Sequence, residues 1–228
     1  MRHASRMCLA LSVLLCMTTV GWQDAASAAR PDSAYVEVNE IHQLPELYNG
    51  CEVTALAIVL DHAGMSIEKM QLARDLQKDA TPLRYDGRGD IAYWGNPSTG
   101  FVGDITGARR GYGVYHAPIA ALMNRYLPGR ALDLSGGSFD SVLDQVADGK
   151  PVVVWTTVQF APVNDWVSWN SPSGKVAATF SEHAAVLIGY DAQTVTLADP
   201  FDGQVDRVNR ARFLASWEQM GRQAVTYR

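Results

Sequence analysis

The spacing of apolar residues changes period once along the chain, at Pro151. Before it, apolar positions recur at helical intervals. In "YNGCEVTALAIVL" (48–60), Val53, Leu56, Ala57, Val59 and Leu60 predict a helix that starts at Cys51 and stops near Gly64. Ser66 is placed to cap a second helix, with Ile67, Met70, Ala73 and Leu76 on one face. Pro118 suits the first turn of a helix carrying Ile119, Leu122, Met123 and Tyr126. Ser138 caps another, with Phe139, Val142, Leu143 and Val146 inward and Gly149 at its end. After Pro151, "PVVVWTTVQ" predicts a buried strand. "HAAVLIGY" and "TVTLADP" predict an antiparallel hairpin turning at 191–193. "GQVDRV" is a further strand, Asn209 caps a helix with Phe213, Trp217 and Met220 inward, and "QAVTY" closes the sheet. Helices first and strands afterwards argue an α+β fold rather than βαβ repetition. Residues 29–40 form an extended lead-in. Residues 79–116, rich in Gly, Tyr, Trp, Asn and Pro, form a long loop region whose aromatics argue against disorder.

Composition narrows the partners. With 228 residues, 47% hydrophobic and 19% charged, the chain fits one globular domain with a substantial core. A net charge of −5 and the absence of any basic run exclude a nucleic-acid or anionic-membrane surface. The N-terminus differs from the rest. Arg2, His3 and Arg6 precede an apolar run from Met7 to Val20, and Ala26, Ser27 and Ala28 follow as small residues. This is the layout of a secretory signal peptide over 1–28, ahead of a mature domain over 29–228. The product is expected outside the cytoplasm, extracellular or periplasmic, without stable membrane insertion. The apolar run is shorter than the ~20 residues of a spanning helix. An uncleaved anchor is the competing reading, and Leu15 before Cys16 argues against a lipoprotein anchor.

Cleavage removes two arginines and one aspartate, so the charge moves from −5 to −6, and it removes Cys8 and Cys16. Cys51 then stands alone. It has no internal disulfide partner, and a single thiol in an exported protein is a candidate reactive group. One cysteine and four scattered histidines show no ligand spacing, so neither metal nor cofactor is expected. By itself, a cysteine ahead of an apolar run reads as a small core residue. A nucleophile reading needs a lowered thiol pKa, which a helix N-terminus promotes, and a base. His62 lies about three turns along the same helix, out of reach. His183 opens one hairpin strand and Asp199 ends the other. With Tyr190 opposite Thr194, Asp199 falls opposite Ala185 and shares a face with His183 as a diagonal neighbour. A loop of even length separates them. A carboxylate beside the imidazole fixes its tautomer and stabilises an imidazolium–thiolate pair.

"LPELYNGCEVTALAIVLDHAG", "NPSTGFVGD…GYGVYHAP", "PVVVWTT", "EHAAVLIGYD" and "ADPFDG" occur in that order. Together they resemble the stand-alone branch of the bacteriocin-leader-processing cysteine peptidases, family 39 of the cysteine class in the papain-like clan, over roughly residues 35–227. The resemblance implies a papain-like fold, with an N-terminal helical part packed on a C-terminal antiparallel sheet. By motif, Cys51 falls on the nucleophile, His183 on the base and Asp199 on the orienting carboxylate. The family's oxyanion glutamine lies in the loop before the cysteine. Gln43 is the glutamine there, far enough upstream to call for a small insertion, and Asn49 is the alternative donor. Well-known members sit on transporters and cut leader peptides after double glycine. This chain shows no transporter segment and carries an export signal, so the resemblance brings a mechanism and not a substrate.

The activity expected is hydrolysis of a peptide bond in a peptide or protein, through an acyl-enzyme on Cys51. A cell-wall amidase or acyl transferase on the same scaffold is one alternative. A non-catalytic exported binding module is another, against which the oxidation-prone lone thiol weighs. Trp94 and Tyr112 in the first aromatic loop and Trp166 in the second are placed to wall a substrate cleft, or else to bury their rings on the core. His116 reads as a loop hydrogen-bonder and Glu52 as a partner of the helix dipole.

Overall fold

The computed structural model describes residues 29–228, so the expected signal peptide lies outside the described residues. In chain order the elements are β1 (Ala34–Tyr35), α1 (Cys51–His62), α2 (Lys69–Asp75), β2 (Lys78–Asp79), β3 (Arg84–Tyr85), β4 (Ile91–Tyr93) and β5 (Phe101–Val102). They continue with α3 (His116–Tyr126), β6 (Ala131–Asp133), α4 (Phe139–Ala147), β7 (Val152–Thr157), β8 (Trp166–Ser171) and β9 (Gly174–Thr179). The chain ends with β10 (Glu182–Tyr190), β11 (Thr194–Asp199), β12 (Gln204–Asn209), α5 (Arg210–Gln219) and β13 (Ala224–Tyr227). The main sheet runs β12-β11-β10-β7-β13-β6 with every pair antiparallel, and β1 joins β10 at Gly189 and Tyr190, where β7 has ended.

Helices cover both faces. α1, α2 and α3 pack on one side, and α4 and α5 on the other. Every residue of α1 from Cys51 to Leu60 is buried, because the helix lies between the sheet and two further helices. That position explains why its sequence is apolar nearly all round rather than on a stripe. Ser138 and Asn209 accept from Ser141 N–H and Arg212 N–H, as their positions predicted. Ser66 caps nothing: α2 begins at Lys69, and the Ser66 hydroxyl donates to Asp61 instead.

The hairpin register needs a correction that matters for the site. Tyr190 pairs with Val195, leaving an even four-residue loop, and a regular ladder from there separates His183 and Asp199. Ile188 is an extra residue between Leu187, opposite Leu197, and Gly189, opposite Thr196. This β-bulge resets the count, so Val186 faces Ala198 and Asp199 comes level with Ala185. The carbonyl of Ile188 accepts from the N–H of Val36, the residue after β1, at 2.7 Å.

The two aromatic loops are more structured than expected. β3, β4, β8 and β9 form a second sheet, and β2 pairs with β5. Trp94, Val102, Tyr112, Trp169 and Val176 make a small third core. Trp94 is 2% exposed and Tyr112 6%, with the Trp169 ring tilted 5.7 Å from Trp94 and edge-on 5.5 Å from Tyr112. Trp94 still lines a small cleft with Asp79 and Arg110, while most of both rings is buried in this core. A sheet that carries its own hydrophobic face has to bury those rings. Trp166, at 37%, stays partly exposed. Among the described residues, no helix is long and apolar enough to cross a membrane.

Candidate active site

Cys51 is the first residue of α1, as expected. Gly50 precedes it without a side-chain cap, and a Cβ on Gly50 would come within 2.6 Å of Leu47 Cβ, so a glycine is needed for this entry into the helix. At the first turn the Cys51 N–H has no intrahelical acceptor and is available as a donor. Cys51 is 7% exposed and joins the larger core. It meets two groups: Glu52 Oε2, 3.5 Å away, and the backbone N–H of Ala184 in β10.

The expected depression of the thiol pKa is reversed. Burial, and then the charges of Glu52 and Glu182, push it well above its usual value, and the Ala184 N–H offsets only part of this. The helix N-terminus is outweighed because desolvation and two nearby carboxyls act on the same atom. The resting site is therefore a neutral thiol rather than a preformed thiolate.

His183 and Asp199 are brought together. His183 Nε2 lies 2.8 Å from Asp199 Oδ1, and Nδ1 has no hydrogen-bond partner among the described residues. Asp199 Oδ1 also accepts from Phe201 N–H at 2.8 Å. Burial alone raises the Asp199 pKa, but the His183 hydrogen bond and charge, with the Phe201 N–H, hold it below the usual carboxylate range. The Phe160 ring sits 6.1 Å from the imidazole and shields this pair. Phe160 holds φ = 51°, a left-handed conformation that is strained for a bulky residue. The thiol makes no hydrogen bond to His183 and contacts Ala184, the next residue along the strand. The hydrogen bond that the sulfur does make is to Glu52.

Both oxyanion candidates are anchored by one side-chain amide donation to a backbone carbonyl. Gln43 is 2% exposed. Its N–H donates to Pro200 O at 2.7 Å, which ties its loop to the residue after Asp199. Its Nε2 donates to Tyr48 O at 2.9 Å and keeps a second N–H. The extra upstream residues are taken up by a turn in which Leu47 N–H donates to Gln43 O. Asn49 Nδ2 likewise donates once, to Asp104 O at 2.7 Å, and its N–H donates to Ile105 O at 3.0 Å, which pins the loop over 103–111. Two of the other histidines make structural contacts, His62 with Tyr227 at 2.7 Å and His116 with Asp133 at 2.6 Å.

The sequence reading missed a pair of buried carboxyls. Glu52, fully buried, accepts from Val114 N–H on Oε1 at 2.6 Å, and burial raises its pKa to about 7. Burial and the charge of Glu52 push Glu182 well above the carboxylate range, and its Oε1 is buried without a partner. Cys51, Glu52 and Glu182 present donor atoms within 4.8 Å of one another. The spacing argument against a metal considered histidines and cysteines, whereas the fold joins residues 130 positions apart in sequence. The available signal was adjacency, since each glutamate neighbours a candidate triad residue in "NGCE" and "EHAAVL". An open groove of about 650 Å³ lies between the second sheet and Arg110, with Arg110 over the ring of Phe180 at 4.5 Å. Its lining includes none of Cys51, His183 and Asp199, so the groove is separate from the thiol.

The sequence profile of the Peptidase_C39 like family matches residues 35–225. The uncharacterized protein YvpB of Bacillus subtilis (strain 168) is 42% identical over 181 residues, which is 79% of this chain and 70% of that protein. The crystal structure of a candidate C39-like peptidase from Bacillus anthracis is 40% identical and superposes with a TM-score of 0.79. The match spans 87% of this chain and 98% of that one.

Proposed function

The chain belongs to the Peptidase_C39 like family and has its papain-like fold, and from that premise we propose that it is an exported cysteine peptidase acting on peptide or protein substrates. The observation that carries the reading is the buried His183–Asp199 pair at 2.8 Å, with the imidazole's other nitrogen left free beside the strand residue that meets the Cys51 sulfur.

In this reading a substrate carbonyl is presented to Cys51. The thiol leaves Glu52 and passes its proton to His183 Nδ1 as the sulfur attacks the carbonyl carbon. Because the resting thiol is neutral, proton transfer accompanies attack rather than preceding it. Asp199 accepts from Nε2–H and stabilises the imidazolium. The Cys51 N–H and the second Nε2–H of Gln43 hold the oxyanion. The imidazolium then protonates the leaving amine, and water, deprotonated by His183, hydrolyses the thioester.

A peptide-library digest comparing wild type with Cys51→Ala tests this. The expected result is cleavage by the wild type alone. Clearing of isolated cell walls in a zymogram without any peptide cleavage favours the amidase alternative, and no activity on either substrate favours a binding module.

A further inference from the structure

We propose that Cys51, Glu52 and Glu182 form a binding site for a zinc-type divalent cation, which caps the nucleophile. The consequence for activity rests on the peptidase reading; the site itself does not.

The geometry is that of a three-ligand tetrahedral set. With Zn–S near 2.3 Å and Zn–O near 2.0 Å, the S···O edge of a tetrahedron comes to about 3.5 Å. Cys51 Sγ and Glu52 Oε2 stand 3.5 Å apart, and a Glu182 oxygen completes the group within 4.8 Å. The two carboxyls do not hydrogen-bond to each other. Glu182 Oε1 is buried with no partner at all. A carboxyl pair that shares a proton touches at about 2.5–2.7 Å, so proton sharing does not account for this arrangement.

The surroundings hold the ligands in place. Val114 N–H fixes Glu52 through Oε1, leaving Oε2 turned to the sulfur, as an outer partner of a metal-ligating carboxylate does. Gly113 lets both carboxyls pack against the backbone there: a Cβ would lie 2.4 Å from Glu52 Oε1 and 3.1 Å from Glu182 Oε2. One thiolate with two carboxylates suits zinc rather than magnesium or calcium, and three protein ligands leave a fourth position for water. On binding, two Zn–O bonds and one Zn–S bond form. The thiol proton, with any carboxyl protons, passes to solvent, and nothing is oxidised or reduced. A sulfur held this way cannot attack a carbonyl.

The test titrates Co2+ into the metal-free chain and follows the thiolate-to-cobalt charge-transfer absorption, with Zn2+ displacement giving the affinity. The wild type should show the absorption and Cys51→Ser should lack it. Glu182→Gln should bind Zn2+ about tenfold or more weakly, while His183→Ala should keep its affinity. If Glu182→Gln folds poorly by circular dichroism, Glu52→Gln is read in the same way. No absorption in the wild type, unchanged affinity in the glutamate variants, or loss in His183→Ala overturns the proposal; the last places the metal on the Cys–His pair. The absorption does not require turnover, so a chain that cleaves no peptide can still show it.

Discussion

Asp199 is the residue whose replacement separates orientation from charge in the proposed triad. Its Oδ1 accepts from His183 Nε2 and from Phe201 N–H, both at 2.8 Å. Asp199→Ala removes the imidazolium's partner. A hydrogen bond to a charged group contributes about 1.5–3 kcal/mol, and each 1.36 kcal/mol is a factor of ten. Attack by Cys51 should therefore slow by about 10- to 150-fold. Asp199→Asn keeps an oxygen for Nε2–H and for Phe201, so it should recover most of that loss. The pH dependence adds a second arm. The folded-state pKa of Asp199 is depressed, so its contribution to stability is present above the unfolded value and lost as pH falls through the folded one. Acidification should narrow the stability gap between wild type and Asp199→Asn. The rate is read as alkylation of Cys51 by iodoacetamide at neutral pH, followed by mass spectrometry, with circular dichroism confirming the fold. A folded Asp199→Ala protein that alkylates at the wild-type rate would falsify the coupling of Asp199 to the nucleophile.

Gln43→Ala should lower kcat by about 10²–10³ with KM little changed, as loss of an oxyanion donor does. Asn49→Ala should instead leave kcat near wild type and cost about 1 kcal/mol of stability, because it frees the Asp104 carbonyl; the opposite pattern in kinetics and denaturant midpoints would exchange their roles. Asp79 anchors the 95–100 turn. Burial there raises its pKa, but the N–H groups of Asn96 and Thr81 and the Thr99 hydroxyl outweigh it and hold the pKa at about 2. Asp79→Asn should therefore be less stable than wild type by about 2 kcal/mol at pH 7, with the gap closing as pH falls from about 4 toward 2. A gap unchanged over that range in urea unfolding would show that the charge plays no part.

Much of the fold was legible because its signals are local. The apolar period of α1, the caps Ser138 and Asn209, and the change of period at Pro151 each depend on residues within one or two turns. The aromatic segments were not legible for the opposite reason. β4 pairs in parallel with β8 across more than seventy positions, and the rings of Trp94, Tyr112 and Trp169 find one another only once that pairing exists. Before it exists, an aromatic that walls a cleft and one that fills a small core look alike. The hairpin shows how a correct pairing can come from an incorrect register. Same-face geometry for His183 and Asp199 was expected from an odd loop. The loop is even, and the Ile188 bulge restores the parity.

The same parity accounts for what was missed at the site. Consecutive residues on a strand point to opposite faces, so "EH" at the start of β10 addresses two sets of neighbours at once. His183 turns to Asp199 and Phe160, while Glu182 turns toward Glu52 and Cys51. A motif read as a line of letters credits the histidine and treats the glutamate as its flank. The thiol meets β10 at the Ala184 N–H, at the edge between these two sets. From there it hydrogen-bonds to Glu52, and in the proposed mechanism it passes its proton to the free nitrogen of His183 instead. In that mechanism the carboxyls that raise the thiol's pKa and the imidazole compete for one sulfur. Glu52→Gln, by removing one competitor's charge while keeping its size, shifts that competition toward His183.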